Sequence, residues 1–289
     1  MTTSQTITVL GGTGKTGRRL AARLRAAGAD VRTAARSGAD VRFDWHDPAT
    51  HAAALDGADA LYLVPPALRL DYPPQVAALL DRAEAAGVRH VTLLSARGVE
   101  HAPAEAPARA TELDLIGRAG LTHAILRPGW FMQNFSEYVF QPAIAQDHEI
   151  AAPTGDGAEA FVHADDIAEV AAATLLDPAA HAGQQLTLTG PEALTFAEVA
   201  ERISTVVGGP VVHVDLPPAR WLEQTLTAGV PRDYAELLLI LLSEVVRSGA
   251  NAATTDAVER VTGHPPRSFA DYLADPATAA AWAPAATPA

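Results

Sequence analysis

The stretch Gly11-Gly12-Thr13-Gly14-Lys15-Thr16-Gly17 constrains this chain more than any other, because of what flanks it. Ile7-Thr8-Val9-Leu10 before it reads as a short buried strand. Arg18 to Ala27 after it reads as a helix with Leu20 and Leu24 on one face, stopped by Gly28. Strand, glycine turn and helix, with no spacer, make a phosphate cradle. Glycines let the backbone turn tightly and approach a pyrophosphate, and the helix N-terminus offers N–H groups and the positive end of its dipole. Gly14-Lys15-Thr16 also matches the end of a Walker A loop, but that motif needs a glycine five residues before Gly14, and Val9 stands there inside the strand. A glycine turn without a ligand is the bland alternative. The placement between a strand and a helix favours a dinucleotide, with Gly11, Thr13, Gly14, Lys15, Thr16 and Gly17 forming the cofactor loop.

Ala29 to Ala34 reads as the second strand, with Arg36 just past its end. An acidic residue about 20 residues beyond the glycines holds the ribose of a cofactor that lacks a 2′-phosphate. Here the position offers Arg36, whose guanidinium suits a 2′-phosphate, so NADP(H) is the expected cofactor; a solvated arginine is the alternative. Val41 to Phe43 reads as a third strand. Asp44 and Trp45 after it are candidates to border the adenine, and Asp47 a candidate helix cap before Pro48. The fourth strand runs from Ala58 to Val64 and ends at Pro65; the fifth, His90 to Leu94, delivers Ser95; the sixth, Thr122 to Leu126, leads into Arg127-Pro128-Gly129-Trp130-Phe131. Helices fall at 49–55, 75–86 and 111–119, and 97–108 reads as a mobile loop.

Strands alternating with helices imply an α/β fold: a doubly wound parallel sheet of the Rossmann type with right-handed crossovers. Ligands of such sheets bind beyond the carboxyl ends of the strands, where Val64, Pro65, Ser95 and Pro128 join the glycine loop as candidate cofactor contacts. The second half reads as a smaller, mostly helical domain. It has a capping box at Thr195 and Glu198, and an apolar run, Leu237 to Leu242, within a helix of 233–247. That run is expected to be buried as plain core, under a substrate pocket, or in a subunit contact that would make a homodimer. The expected division is residues 1–150 for the dinucleotide domain, with 160–190 packing back on it, 191–275 for a substrate or lid domain, and 276–289 as an Ala/Pro-rich flexible tail.

A hydrophobic content of 48% in 289 residues is enough for a full core, no apolar run is long enough to span a bilayer, and no signal peptide is expected before the first strand. The net charge of −13 argues against nucleic-acid binding. Cysteine is absent, which excludes disulfides and thiolate sites and fits a cytoplasmic location. No His, Asp or Glu cluster has metal-ligand spacing, so no metal is expected.

The glycine loop, Arg36, and Leu126-Arg127-Pro128-Gly129-Trp130-Phe131-Met132-Gln133-Asn134-Phe135 resemble the NmrA-like branch of the atypical short-chain dehydrogenases; so do Asp165-Asp166-Ile167-Ala168 and Val261-Thr262-Gly263-His264-Pro265-Pro266-Arg267-Ser268-Phe269. The resemblance implies NAD(P)H-dependent quinone reductases, reductases of natural-product pathways, or redox-sensing regulators. Ordinary short-chain dehydrogenases use Tyr-x-x-x-Lys, in which lysine lowers the tyrosine pKa. This chain cannot, because its single lysine is Lys15 and none of Tyr62, Tyr72, Tyr138, Tyr234 or Tyr272 has lysine four residues later. The absence shifts the expectation from ketone reduction toward quinones or activated alkenes, whose reduced oxygen solvent can protonate. Ser95, Trp130 and Tyr138 are the candidate catalytic residues. Phe131 joins Trp130 in an aromatic wall for a flat small-molecule substrate, unless both are core. His163 is a candidate acid or a structural histidine. A cofactor sensor with a protein partner, and an isomerase or lyase, are the alternative functions.

Overall fold

A computed structural model describes residues 5–283. The chain begins β1 Thr6–Leu10, α1 Lys15–Ala26, β2 Asp30–Ala35, β3 Val41–Arg42, α2 His51–Leu55, β4 Ala60–Leu63, α3 Pro73–Ala85, β5 His90–Leu94, α4 Pro107–Gly117 and β6 Thr122–Pro128. It continues α5 Gln141–Asp147, β7 Glu149–Ala152, β8 Ala158–Glu159, α6 Ala164–Leu176, α7 Pro178–His181, β9 Gln184–Leu188, β10 Leu194–Thr195, α8 Phe196–Val207 and β11 Val212–Asp215. The last described helices are α9 Pro218–Thr227, α10 Arg232–Ile240, α11 Ala257–Thr262, α12 Phe269–Ala274 and α13 Pro276–Ala280.

Two compact units share the chain. The first takes the chain up to Pro128, Ala164–Leu188 and Ala257–His264; the second takes Gly129–His163, Thr189–Asp256 and the chain from Pro265. The crossing thus comes at Pro128 and not at residue 150.

The first unit is a seven-stranded parallel sheet in the order β3-β2-β1-β4-β5-β6-β9. The doubly wound Rossmann-type sheet expected from the alternation is therefore present. β9 adds a seventh strand, in register with β6 through Leu186 opposite Leu126. Helices cover both faces, so β1 and β4 are buried almost throughout, as parallel strands must be. The order reverses between β1 and β4. There the glycine loop leaves one strand and Val64 the other, which is the crevice where such sheets bind ligands. α1 buries Leu20, Ala21 and Leu24, and Gly28 follows at φ +82, the left-handed conformation that ends the helix. Its outer face pairs with α6, Arg19 reaching Asp165 at 3.4 Å and Arg23 reaching Glu169 at 2.5 Å.

Residues 97–108 are not one loop. A 3₁₀ turn occupies Val99–His101, and α4 starts at Pro107, where a proline loses nothing because the first N–H of a helix has no partner.

The second unit holds the pairs β7-β11 and β8-β10 with α5, α8 to α10, α12 and α13. Its core is aromatic: Phe135 lies 5.3 Å from both Phe140 and Phe161 and 5.8 Å from Phe196. The capping box at Thr195 and Glu198 starts α8.

Two features of this unit differ from a plain reading of its sequence. The apolar run does not bury all round within one chain. α10 gives way to a π-helical segment at Leu241–Val246, Arg247 N–H bonding Leu242 O five residues back, which turns Leu242 and Val246 inward and leaves Ile240 49% exposed. The segment from 276 is not a flexible tail through its described part: Pro276–Ala280 is helical, and Trp282 is buried with its indole N–H donating to Phe135 O at 2.7 Å. Residues 284–289 of that expected tail lie outside the described residues.

Candidate functional site

At the carboxyl end of β1 the backbone reverses at Gly11, which has φ +64, and Gly14 N–H closes the turn on Gly11 O at 2.8 Å. A side chain at Gly17 would meet Gly11 O at 2.1 Å, so α1 approaches β1 only because that residue has none. Gly14 differs. It is exposed, caps α1 with φ −78 and ψ 179, and an added Cβ would lie 3.1 Å from Gly11 O. α1 has no side-chain cap and no acid in its first turn, which leaves the positive end of its dipole uncompensated by any carboxylate there. Lys15 is half-buried, and Thr13 is exposed beside Gly38. The Thr16 side chain faces inward: it is buried and accepts a hydrogen bond from Tyr62 OH at 3.0 Å, so only its backbone is placed for an anion.

Arg36 is exposed beyond β2 and has no side-chain partner among the described residues. The nearby carboxylate of Asp40 is already engaged. Its Oδ2 accepts from Thr33 N–H at 2.8 Å, from Thr33 Oγ1 at 2.7 Å and from Arg25 at 2.8 Å. The Thr33 backbone and hydroxyl bonds, with help from Arg25, hold its pKa below the ordinary carboxylate value. The end of β2 therefore presents an available cation, and the nearby carboxylate has its Oδ2 fully engaged with only Oδ1 open.

Asp44 is used by its own turn, accepting His46 N–H at 3.0 Å. Trp45 lies edge-on to Phe43 at 5.1 Å and is only half-buried, which leaves part of its ring to border a ligand. Asp47 caps the short turn at Pro48–Thr50, as its position before Pro48 suggests. Val64 packs 3.8 Å from where a Gly11 Cβ would be; Val64 and Pro65 are half-buried at the end of β4. Pro128 is buried at the end of β6, its carbonyl accepting Arg97 N–H at 3.0 Å.

Ser95 is half-buried at the end of β5, and its hydroxyl donates to Glu112 Oε1 at 2.6 Å. Glu112, on α4, is fully buried. It accepts Arg127 Nε–H at 2.8 Å, Arg127 Nη2–H at 2.6 Å and Arg109 Nη1–H at 3.0 Å. Gln185 on β9 accepts Arg127 Nη2–H at 2.8 Å. Burial raises the Glu112 pKa, but the bonds from Arg127 and Ser95 and the Arg127 charge outweigh it, and the carboxyl ends below its ordinary value. Sequence reasoning missed Glu112, Arg109 and Gln185. Arg127 was the signal: a charged residue at the buried end of an interior strand requires a carboxylate partner.

Trp130, Phe131 and Tyr138 belong to the second unit. The chain at Trp130 is pinned to Val162, whose N–H donates to Trp130 O at 2.9 Å, while Met132 N–H donates to Val162 O at 2.9 Å. Trp130 is half-buried and leans on the aromatic core. Tyr138 is 70% exposed at φ +137, so no local packing shields or orients its phenol. Tyr62 is buried, which raises its phenol well above the usual value; burial, then the neighbouring Tyr138, raises that of Tyr234. His163 is buried against Tyr272, with ring centroids 6.0 Å apart.

With the glycine cradle, Arg36 and the Arg127-Pro128-Gly129-Trp130 segment placed, the model of one family matches the chain over residues 3–251. The chain belongs to the NmrA-like family. Among relatives of this NmrA-like protein, the uncharacterized oxidoreductase YesF of Bacillus subtilis (strain 168) is 36% identical over 283 residues, 96% of this chain and 96% of the relative. An NAD(P)H azoreductase of Xenophilus azovorans is 32% identical over 285 residues, 92% of this chain and 96% of the relative. The triphenylmethane reductase of Citrobacter sp., solved in complex with NADP(H), superposes with a TM-score of 0.74 over 92% of this chain and 98% of the other; at 22% identity this bears on the fold.

Proposed function

We propose that this protein is an NADPH-dependent reductase that delivers hydride to a small, flat, conjugated acceptor, a quinone or an activated alkene. The observation that carries the reading is the pairing of an unpartnered Arg36 with an engaged Asp40 beside the acid-free start of α1. Two sites for phosphate charge are proposed, and the nearby carboxylate, Asp40, is tied through Oδ2 to Thr33 and Arg25. The azoreductase relative, named for NAD(P)H and an azo acceptor, supports the same class.

The glycine loop would hold the pyrophosphate and Arg36 the 2′-phosphate, with Trp45, Val64, Pro65 and Pro128 bordering the rest. Bound NADPH supplies two electrons as hydride. The chain contributes binding and orientation, which carry much of a barrier reduction, and water contributes the proton. Trp130 and Phe131 are the proposed aromatic contacts of the acceptor. Among the described residues no helix is long and apolar enough to cross a membrane, and no group of three or more His, Asp or Glu is placed to hold a metal. A small-molecule substrate is proposed as the partner, and the cytoplasm as the location.

Arg36→Ala is expected to weaken NADPH by about 1.5–3 kcal/mol, the range for a hydrogen bond to a charged group, and to leave NADH nearly unchanged. Titration of both cofactors checks this, and equal losses would remove the 2′-phosphate assignment.

Because Tyr138 is exposed and no lysine stands near enough in sequence to activate any tyrosine, each Tyr→Phe variant should lower quinone turnover by less than about 100-fold, the low end of what a positioned acid contributes. Trp130→Ala should cost more than Tyr138→Phe. A Tyr138→Phe variant that binds NADPH normally and is a thousandfold slower, on the order of a full general-acid contribution, would point to carbonyl reduction with a tyrosine acid.

A further inference from the structure

Ser95 stands at the end of β5, where a serine is expected to act as a proton-handling residue. Its surroundings forbid that role. A serine hydroxyl has one hydrogen to donate and two lone pairs to accept with. That hydrogen is committed to Glu112 Oε1 at 2.6 Å. Glu112 in turn is saturated: an ionised carboxylate has about four acceptor positions, and Ser95, Arg109 and two Arg127 nitrogens fill them. The carboxylate has no free lone pair to take the serine proton, and the two guanidiniums hold it ionised. The Ser95 oxygen, half-buried at the strand end, receives no donor from the described residues. What remains available on Ser95 is acceptance.

We propose that Glu112 is a positioning residue that locks Ser95 as a hydrogen-bond acceptor, and that Ser95 receives the carboxamide N–H of a bound nicotinamide. The proposal rests on the dinucleotide reading above. A quinone presents only carbonyl oxygens, which an oxygen with its hydrogen turned away repels. Of the two proposed ligands, the nicotinamide is the one that carries a donor, in its primary amide. Ser95 then orients the ring and gives no proton to the reaction.

The test uses binding alone. NADP⁺ and its 3-acetylpyridine analogue, in which an acetyl group replaces the amide and removes the donor, are titrated into the wild-type protein and into Ser95→Ala, Ser95→Thr and Glu112→Gln. The wild type should prefer NADP⁺ by about three- to tenfold, the range for one neutral hydrogen bond. Ser95→Ala should bind both equally, having lost affinity for NADP⁺ only. Ser95→Thr should keep the preference, and Glu112→Gln should narrow it although Ser95 is intact. If Glu112→Gln does not fold, the two Ser95 variants, which change only the rim of the network, decide the matter. A preference that survives in Ser95→Ala, or is absent from the wild type, overturns the proposal. Binding of neither dinucleotide to the wild type would overturn the proposed function, and this proposal with it.

Discussion

Gly14→Val is expected to fold normally and to lose its dinucleotide. Three of the loop's four glycines, Gly11, Gly14 and Gly17, fail for different reasons, and Gly14 is the one that separates structure from ligand. At Gly17 a Cβ would sit 2.1 Å from Gly11 O, inside the backbone itself, so any side chain there rebuilds the loop. At Gly11 the φ of +64 penalises any β-branched residue before a ligand arrives. At Gly14 the backbone is extended, the residue is exposed, and the nearest atom to an added Cβ is Gly11 O at 3.1 Å, a far looser contact than the 2.1 Å at Gly17. A branched side chain there stands over the start of α1, where the pyrophosphate is proposed to bind, and pushes it off the helix N–H groups. Two charge-assisted hydrogen bonds lost together amount to about 3–6 kcal/mol, or roughly two to four decades of affinity. The check pairs thermal unfolding with a NADPH titration. An unchanged melting temperature with unchanged affinity would mean that the loop is a turn and nothing more.

The second large effect is on stability. Arg127→Leu should destabilise the first unit by about 3–5 kcal/mol, because it leaves the fully buried Glu112 without its bidentate partner. At 2–4 °C per kcal/mol for units of this size, the melting temperature should fall by about 6–20 °C. Replacing both residues, Arg127→Leu with Glu112→Met, should recover part of the loss, since it removes the stranded Glu112 charge, while Glu100, 3.5 Å from Arg127 Nε, and Arg109 still lose a partner. The pH dependence follows from the depressed carboxyl of Glu112. Its contribution is fully present above the ordinary carboxylate value and is lost as pH falls through the lower folded value. In Arg127→Leu the stranded carboxyl titrates higher, so the gap between variant and wild type should narrow as the solution is acidified. Calorimetry across the acidic range measures both effects. A single variant no less stable than the double would show that the network carries no such dependence.

The pattern of what the sequence revealed follows from the range of the interactions. β1, the glycine turn and α1 are read directly, because buried apolar residues, a backbone reversal and a C-terminal glycine are properties of neighbours in sequence. The capping box at Thr195 and Glu198 is local as well. β9 is harder to place. Gln184–Leu188 looks like any short apolar strand, and only its pairing with β6, some sixty residues away, makes it part of the first sheet. Glu112 looks like a solvated helix residue until Arg127 is seen beneath it. The last helix is hidden by its composition. Alanine, proline and threonine predict no core, yet one tryptophan, Trp282, finds a buried slot and a carbonyl at Phe135. The π-helical register at Leu241–Val246 has no sequence signature, so the apolar run before it reads as more buried than it is. For the site, residue types at strand ends were legible. Which of their atoms are already taken was not: Thr16 by Tyr62, Asp40 by Thr33, and Ser95 by Glu112.

The central claim is that the cofactor is turned over. The direct measurement mixes the purified protein with NADPH and a quinone under anaerobic conditions and follows NADPH and hydroquinone together. NADPH is expected to disappear in step with hydroquinone formation, one for one, and Arg36→Ala to slow the reaction with NADPH but not with NADH. Tight binding of NADPH without consumption, across a panel of quinones, azo compounds and conjugated alkenes, would contradict it and leave a protein that holds its cofactor without using it.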